Sequence, residues 1–520
     1  MALHYVGGER DQLFLLPVSM RDWLDEGHLA WFVIDVVERV DLTKFHARYR
    51  LGGAGRPPYD PKMMLALLFY AYATGMRSSR RIEAACRTDA AFRVIAGGAA
   101  PDHSTLAEFV VVHEAAIKDV FFDVLRLCAV AGLVPVERLA LDGTKMAADA
   151  ALDQNRSAQW IRDEVARVVA GAIATDAAED AEVGLLGFEQ LPVDLGTKAG
   201  RVARLNAALA QLEAVEAAAR AEADEKAARA QQAAAEGRKL NGRKPKGPQA
   251  RLARAEADHA AAVARAEAKA AARAAKEQAA QARGHKVAGR TPGPGTGVER
   301  AAAALEAARA AAQGAPGPGP GAANVTDPDS RMMKVPDGFV QGYNAQAMVN
   351  ERQVVVARDV TQDANDVGQF TPMLRATEES LARAGVTEPV GVVTGDAGYW
   401  SEANATAQGP DRLIATQKDW KQRQAARALG TTTGPPPDGA TPLEAMEHRL
   451  RTPEGAAAYA TRSHTVEPVF ANSKENRGFR GFRRRGLEAV RSEWSLMMTV
   501  QNLRKLYDHL AGGGAGFAVT

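Results

Sequence analysis

From Arg201 to Ala282 the chain is mostly Ala, Glu, Arg, Lys, Gln and Leu, and this stretch decides where a core can be built. These are the strongest helix formers, so two long helices are expected, broken once at Gly237-Arg-Lys-Leu-Asn-Gly-Arg-Lys-Pro-Lys-Gly-Pro248. The apolar positions are mainly alanine, which buries little surface, so each helix must depend on its partner rather than on a broad core. Arg290-Thr-Pro-Gly-Pro-Gly-Thr-Gly and Gly314-Ala-Pro-Gly-Pro-Gly-Pro-Gly flank a further alanine-rich stretch, and such runs propagate neither helix nor sheet. A helical hairpin with a basic tip (Arg238, Lys239, Arg243, Lys244, Lys246) and flexible linkers therefore interrupts the chain. Any mixed apolar core has to be assembled from the residues on either side of it.

The 520 residues exceed what one hydrophobic core holds, and the pattern divides them. Residues 1–135 read as helical. Pro61-Lys-Met-Met-Leu-Ala-Leu-Leu-Phe-Tyr-Ala-Tyr is apolar over most of a helix surface, and Ser78 opens another helix as a capping residue. Asp102, or Thr105 with Glu108 as a capping box, starts a long helix expected to run to Cys128. The Ser78–Gly97 helices have the spacing of a helix-turn-helix, a spacing that any small helical domain also shows. At Leu139-Ala-Leu-Asp142-Gly143 the period changes to a short apolar run closed by Asp-Gly, a buried strand presenting a carboxylate at its end.

After Thr326 strand chemistry returns, with a hairpin broken at Asn350-Glu-Arg-Gln, a helix near 369–384, and strands at Pro389–Asp396 and Arg412–Thr416. The expected organisation is a multi-domain α/β chain. It comprises an N-terminal helical domain (1–135), the first part of a mixed-sheet core (136–152) and the alanine-rich insertion (153–325). The core resumes at 326–416, followed by a loop-rich insertion (417–456), a C-terminal helical region (457–510) and a flexible tail (511–520).

Bulk properties exclude several function classes. A net charge of +2 selects neither a nucleic acid nor a membrane as partner. Cys86 and Cys128 are the only cysteines and form neither a disulfide scaffold nor a ligand pattern, which fits a reducing cytosol. No apolar stretch approaches membrane-spanning length, so a cytoplasmic protein is expected.

The chemistry rests on carboxylates. Asp142 and Asp396 each close an apolar strand, and neighbouring strands would bring them together. Glu467 stands in the first turn of an expected helix, capped by Thr465 and followed by Pro468. Two α-turns later comes Lys474, so both lie on one face with Ala471. Periodicity leaves Glu488 and Glu493 as rivals to Glu467. Lys474, Arg477, Arg480, Arg483, Arg484, Arg485 and Arg491 crowd the same stretch with Phe479 and Phe482, moderated by Glu475, Glu488 and Glu493. They read as a phosphate-tracking surface. Tyr399 and Trp400 read as core aromatics rather than base-stacking ones.

Seven blocks in order resemble bacterial insertion-sequence DDE transposases of the IS-four/IS-five-like superfamily, over about residues 60–510. They are Tyr59-Asp-Pro-Lys-Met-Met-Leu-Ala-Leu-Leu, Pro101-Asp-His-Ser-Thr-Leu, Leu141-Asp142-Gly-Thr-Lys, Gly342-Tyr-Asn-Ala-Gln, Thr361-Gln-Asp-Ala-Asn-Asp, Gly395-Asp396-Ala-Gly-Tyr399 and Val466-Glu467-Pro-Val-Phe. The resemblance implies a ribonuclease H-like catalytic core in which Asp142, Asp396 and Glu467 bind two Mg²⁺ or Mn²⁺ ions. Tyr459, Arg462 and Lys474 stand in the places of DNA-contacting residues. Implied too are cleavage at inverted-repeat ends, 3′-hydroxyl strand transfer into target DNA, a homodimer that pairs two ends, and association with the nucleoid when DNA is bound. Two features depart from the family pattern. The Arg462-to-Glu467 gap is one residue longer than in its commonest form, and Phe109-Val-Val-Val-His stands where relatives generally carry arginines. The second departure supports an alternative reading, an inactive or domesticated copy that acts as a sequence-specific DNA-binding protein.

Overall fold

A computed structural model of the protein describes residues 19–49, 57–179, 198–235, 248–282, 296–312, 322–336, 338–418, 421, 424 and 428–513. The basic tip Arg238–Lys246, the Pro/Gly runs up to Gly295 and from Gly314, and the tail beyond Gly513 lie outside the described residues. Two compact units emerge, one from Met1–Leu152 with Asp329–Thr520 and the other Asp153–Pro328.

In the first unit the helical region begins with Leu29–Val37, Thr43–His46 and Pro61–Ala73, continues with Ser79–Thr88 and Ala90–Ile95, and ends with His103–Val112 and Glu114–Val130. Pro61 occupies the first turn of its helix, where a missing N–H costs nothing, and Asp60 accepts the N–H of Lys62 at 2.9 Å. Ten of the thirteen residues of that helix are buried, so its apolarity on every side reflects neighbours on every side. Asp102, not Thr105, caps the next long segment by accepting the Thr105 N–H at 2.9 Å. The expected continuous helix to Cys128 instead breaks at His113, which is buried beside Phe45 and Phe109 and hydrogen-bonds the Tyr49 hydroxyl at 2.9 Å. Burying an imidazole with a partner in that apolar cluster turns the chain between the two helices.

The sheet of this unit comprises β1 (Arg138–Ala147), β4 (Arg331–Val335), β5 (Gly338–Asn350), β6 (Val355–Thr361), β7 (Val392–Gly395) and β8 (Asp411–Ile414). In the middle, β1 runs antiparallel to β5 with Asp142 opposite Ala347, and parallel to β7 with Leu141 opposite Gly395. Outside β7 lies β8, also parallel, while β5 pairs on its far edge with β4 over its first half and β6 over its second. Gln341–Asn350 are all buried, because the helix Phe370–Arg383 and the terminal helix Leu487–Ala511 both pack on this part of the sheet. The edge of β6 is closed by Asn502, whose amide accepts the Val355 N–H at 2.7 Å and donates to the Val355 carbonyl at 2.8 Å. Trp494 is buried with its indole N–H donated to the Gln346 carbonyl at 3.0 Å. The N-terminal helices and the sheet share one apolar core.

The second unit holds helices Ala158–Glu179, Lys198–Ala235, Pro248–Gln281 and Thr296–Ala312, and a two-stranded antiparallel pair, β2 (Asn155–Ser157) and β3 (Ala322–Asn324). Its buried cluster is small and alanine-rich: Ala158, Ile161, Leu205, Ala208, Leu212 and Ala323. Among the described residues no helix is long and apolar enough to cross a membrane.

Candidate active site

Asp142 does not end its strand. β1 continues to Ala147, still paired with β5, so the Asp-Gly that reads as a turn is a strand interior. Gly143 is there for space. A Cβ on it would lie 2.3 Å from Gln346 Nε2 and 2.6 Å from Asp366 Oδ1. Both atoms are held in place, since Gln346 Nε2 donates to Asp366 at 2.9 Å and the buried Tyr399 hydroxyl donates to Gln346 Oε1. Gly143→Ala is therefore expected to displace Gln346 from Asp366 and to cost about 1–3 kcal/mol, as overpacking of a filled site does; urea denaturation of the two proteins measures it.

Asp396 does close its strand, one residue past β7, and accepts the Gly398 N–H at 2.9 Å as the cap of a single helical turn. Because β1 and β7 are parallel neighbours with Leu141 opposite Gly395, the two aspartates emerge side by side. A third carboxylate joins them. Asp366 follows β6, accepts from Lys145 at 3.2 Å and Asn344 at 2.7 Å, and faces the same side of Gly398 as Asp396. Sequence reasoning passed over it. Its signal lay in the Thr361-Gln-Asp-Ala-Asn-Asp block, where two acidic residues sit between a strand and a helix.

The electrostatics follow from this crowding. Burial pushes the Asp142 carboxyl up to about 6; Arg462 opposes that most strongly, while Asp396 and Asp366 add to it. Burial and the same three carboxylates also hold the Tyr399 hydroxyl well above its ordinary value. Arg462 is buried and bridges the acids, 2.9 Å from Asp142 Oδ2 and 3.9 Å from Glu467 Oε1. Glu467 itself is more than half exposed.

Two local expectations about Glu467 are corrected. Thr465 is not its cap: it ends the preceding turn Arg462–Thr465 and donates its hydroxyl to the Thr461 carbonyl at 2.8 Å. Nor are Glu467 and Lys474 two α-turns apart, because Asn472–Asn476 is a π-helical turn that widens the register. Lys474 is thereby sent to β1, where its ammonium donates to the Thr144 hydroxyl and, at 3.4 Å, to the Lys145 carbonyl. The rivals to Glu467 are engaged elsewhere. Glu488 pairs with Lys118 and Arg491, and Glu493 is buried against Arg77.

Tyr459 packs with Leu413, Met446 and Leu450 in a small apolar cluster, which Trp400 also joins. The basic stretch does not form one row of unpaired cations. Arg480 pairs with Glu475, Arg484 with Glu114, Arg485 with Asp149 and Arg491 with Asp359, while Arg483 is exposed and Arg477 is buried. Of the two Ser78–Gly97 helices, Ala90–Ile95 buries Ala91, Phe92, Val94 and Ile95. Arg80, Arg81 and Arg87 on Ser79–Thr88 face outward, and so does Arg93 on Ala90–Ile95.

Among the described residues no three His, Cys, Asp or Glu side chains stand close enough to share one ion in this arrangement. The reason is visible: the Arg462 guanidinium lies between Asp142 and Glu467, and Asp366 is turned to Lys145, Asn344 and Gln346. The donor set nevertheless suits a hard divalent cation, being all carboxylate oxygen. The buried Asn344 Oδ1, which has no hydrogen-bond partner and faces Gly143, adds a neutral oxygen beside it.

Comparison with known families agrees with this picture. Residues 18–111 match a transposase domain and residues 436–507 match a transposase DDE domain, which spans Tyr459, Arg462, Glu467 and Lys474. The protein is thus built on transposase domains and its general role is DNA transposition. Together the two matches support an insertion-sequence DDE transposase. No curated protein and no solved structure matches the chain.

Proposed function

We propose that the protein cleaves DNA at the inverted-repeat ends of a mobile element and joins the freed 3′-hydroxyl to target DNA, with Asp142, Asp396 and Glu467 as its catalytic carboxylates. The observation that carries this reading is the emergence of Asp142 and Asp396 side by side from parallel strands, with Glu467 reached across Arg462. A ribonuclease H-like core is supported by the strand order β6-β5-β1-β7-β8, in which β5 is antiparallel and β7 parallel to β1.

Asp142, Asp396 and Glu467, with Asp366 beside them, would hold Mg²⁺ or Mn²⁺. When bound, two such ions stabilise the attacking and leaving oxygens of an in-line displacement. The protein's own groups orient the strand. Lys474 at β1 offers a cation two residues beyond Asp142, and Arg462 holds the carboxylates apart from one another. Two ends must be cut in concert, so the working form is a homodimer on double-stranded DNA.

Single-turnover cleavage of inverted-repeat duplex in Mg²⁺ tests the reading. Wild-type protein should cut, and a variant with Asp142, Asp396 and Glu467 all replaced by their amides should not; cleavage by that variant would sink the proposal. One observation favours the alternative, a copy that binds DNA without cutting it. Val111 and Val112 are exposed, at 62% and 40%, on the helix where relatives carry arginines. A gel shift of the inverted repeat by wild-type protein, with no cleavage, is the outcome that reading expects.

A further inference from the structure

On the side of the Asn472–Asn476 turn away from Lys474 lies a half-open cavity of about 350 Å³, between that turn and the terminal helix. Its charged groups are Arg477, Arg504, Lys505 and Asp508, three cations against one carboxylate. Arg477 is only 8% exposed, yet among the described residues its side chain makes a single hydrogen bond, from Nη1 to Gln501 Oε1 at 3.0 Å, and no carboxylate among them is within ion-pair distance of it. The one acid, Asp508, is 3.8 Å from Arg504 and more than half exposed. Lys505 donates to Gln353 Oε1 at 2.6 Å and has no ion pair among the described residues.

The neutral wall points the same way. Gln501 Oε1 already accepts from Asn472 at 3.0 Å as well as from Arg477, and Asn472 Oδ1 accepts from Asn476 at 3.1 Å. The Gln501 and Asn472 acceptors are thus engaged within the wall, and the charged donors are the rest of the Arg477 guanidinium, Arg504 and Lys505. A buried cation without a counter-charge is costly unless something compensates it. Burial and the neighbouring Arg504 push Arg477 down to about 10, and burial lowers Lys505 as well, with Asp508 opposing both only in part.

We propose that this cavity is a phosphate-binding pocket, taking either a phosphodiester group of bound DNA or a free phosphate group. The phosphate chemistry stands on the cavity alone; DNA as its source rests on the function proposed above. Bound there, the phosphate is held on the same short turn that delivers Lys474 to β1, so the pocket ties strand placement to the candidate active site.

The test uses the full chain with inorganic phosphate, against chloride at equal ionic strength, followed by calorimetry, alongside the salt dependence of inverted-repeat duplex binding. The variants are Arg504→Gln and, on an exposed residue, Asn476→Asp, which adds a repelling carboxylate; circular dichroism checks that each folds. Loss of a charge-assisted hydrogen bond should weaken phosphate binding about tenfold or more. Loss of one DNA phosphate contact should lower the slope of log K against log salt by about one. Weakened phosphate binding with a reduced slope supports a DNA phosphate, and a reduced slope without free-phosphate binding supports a phosphate recognised only within DNA. Weakened phosphate binding with an unchanged slope supports a free phosphate ligand. No phosphate binding above chloride, with a slope unchanged in both variants, overturns the pocket. Failure to cleave DNA would overturn the proposed function and leave the phosphate result intact.

Discussion

Asp142→Asn is expected to lower strand cleavage on the order of 10³-fold or more while leaving binding of the inverted repeat intact. Stabilisation of transition-state charge by a metal site is worth several kcal/mol, and each 1.36 kcal/mol is a factor of ten in rate. The amide keeps the shape of the side chain and loses the charge. The substitution should not unfold the protein, because burial and two neighbouring carboxylates already disfavour the Asp142 charge. Arg462 retains Glu467 at 3.9 Å. Equal or higher melting temperature together with lost cleavage is the expected pair of results. A gel shift lost along with cleavage, or a large drop in melting temperature, would move Asp142 from chemistry to structure. Functional sites commonly carry such a conflict between activity and stability.

Glu493→Ala should have the largest effect on stability, about 3–5 kcal/mol, the cost of breaking a buried ion pair from one side. Its carboxylate is fully buried, 3.2 Å from Arg77 Nη1, and accepts the backbone N–H of Arg483 at 2.9 Å and of Arg484 at 3.0 Å. Removing it strands a buried guanidinium and two backbone donors together. Arg77 also donates to the Gly481 carbonyl at 2.7 Å and stacks on Phe479 at 4.6 Å. The loop between the π turn and the terminal helix is therefore tied down at several points, one of them Phe482 N–H to the Ala147 carbonyl at 2.7 Å, at the end of β1. Urea denaturation measures the loss, and hydrogen exchange should show residues 477–486 opening first. Glu493→Gln, which keeps an acceptor for the two N–H groups, should cost less. Equal costs for the two variants would mean the backbone contacts contribute nothing.

Much of the fold was legible in the sequence. The helix at Pro61, the hairpin broken after Asn350, and the strands leading to Asp396 and through Leu413 are local signals, set by caps, periods and turn residues. The errors share one cause. Asp142-Gly143 has the local pattern of a strand end, the segment through His113 that of a continuous helix, and Glu467 and Lys474 the spacing of one α-helical face. In each case a residue responds to something distant in the chain: Gln346 and Asp366 at Gly143, Phe45 and Tyr49 at His113, Thr144 at Lys474. Asp366 was missed for the same reason, since only its placement beside Asp396 and Gly398 gives it meaning.

For the candidate active site, the sequence by itself determined that Asp142 and Asp396 lie at apolar strands and that the alanine-rich segment between them cannot supply the core. Those facts follow from side-chain volume and hydrogen-bond propensity, which act over a few residues. Only the tertiary structure decided that Asp142 lies within its strand, that Asp366 completes the acidic cluster and that Arg462 bridges Asp142 and Glu467. Sheet pairing and charge proximity act through space, between residues whose separation in sequence carries no record of it.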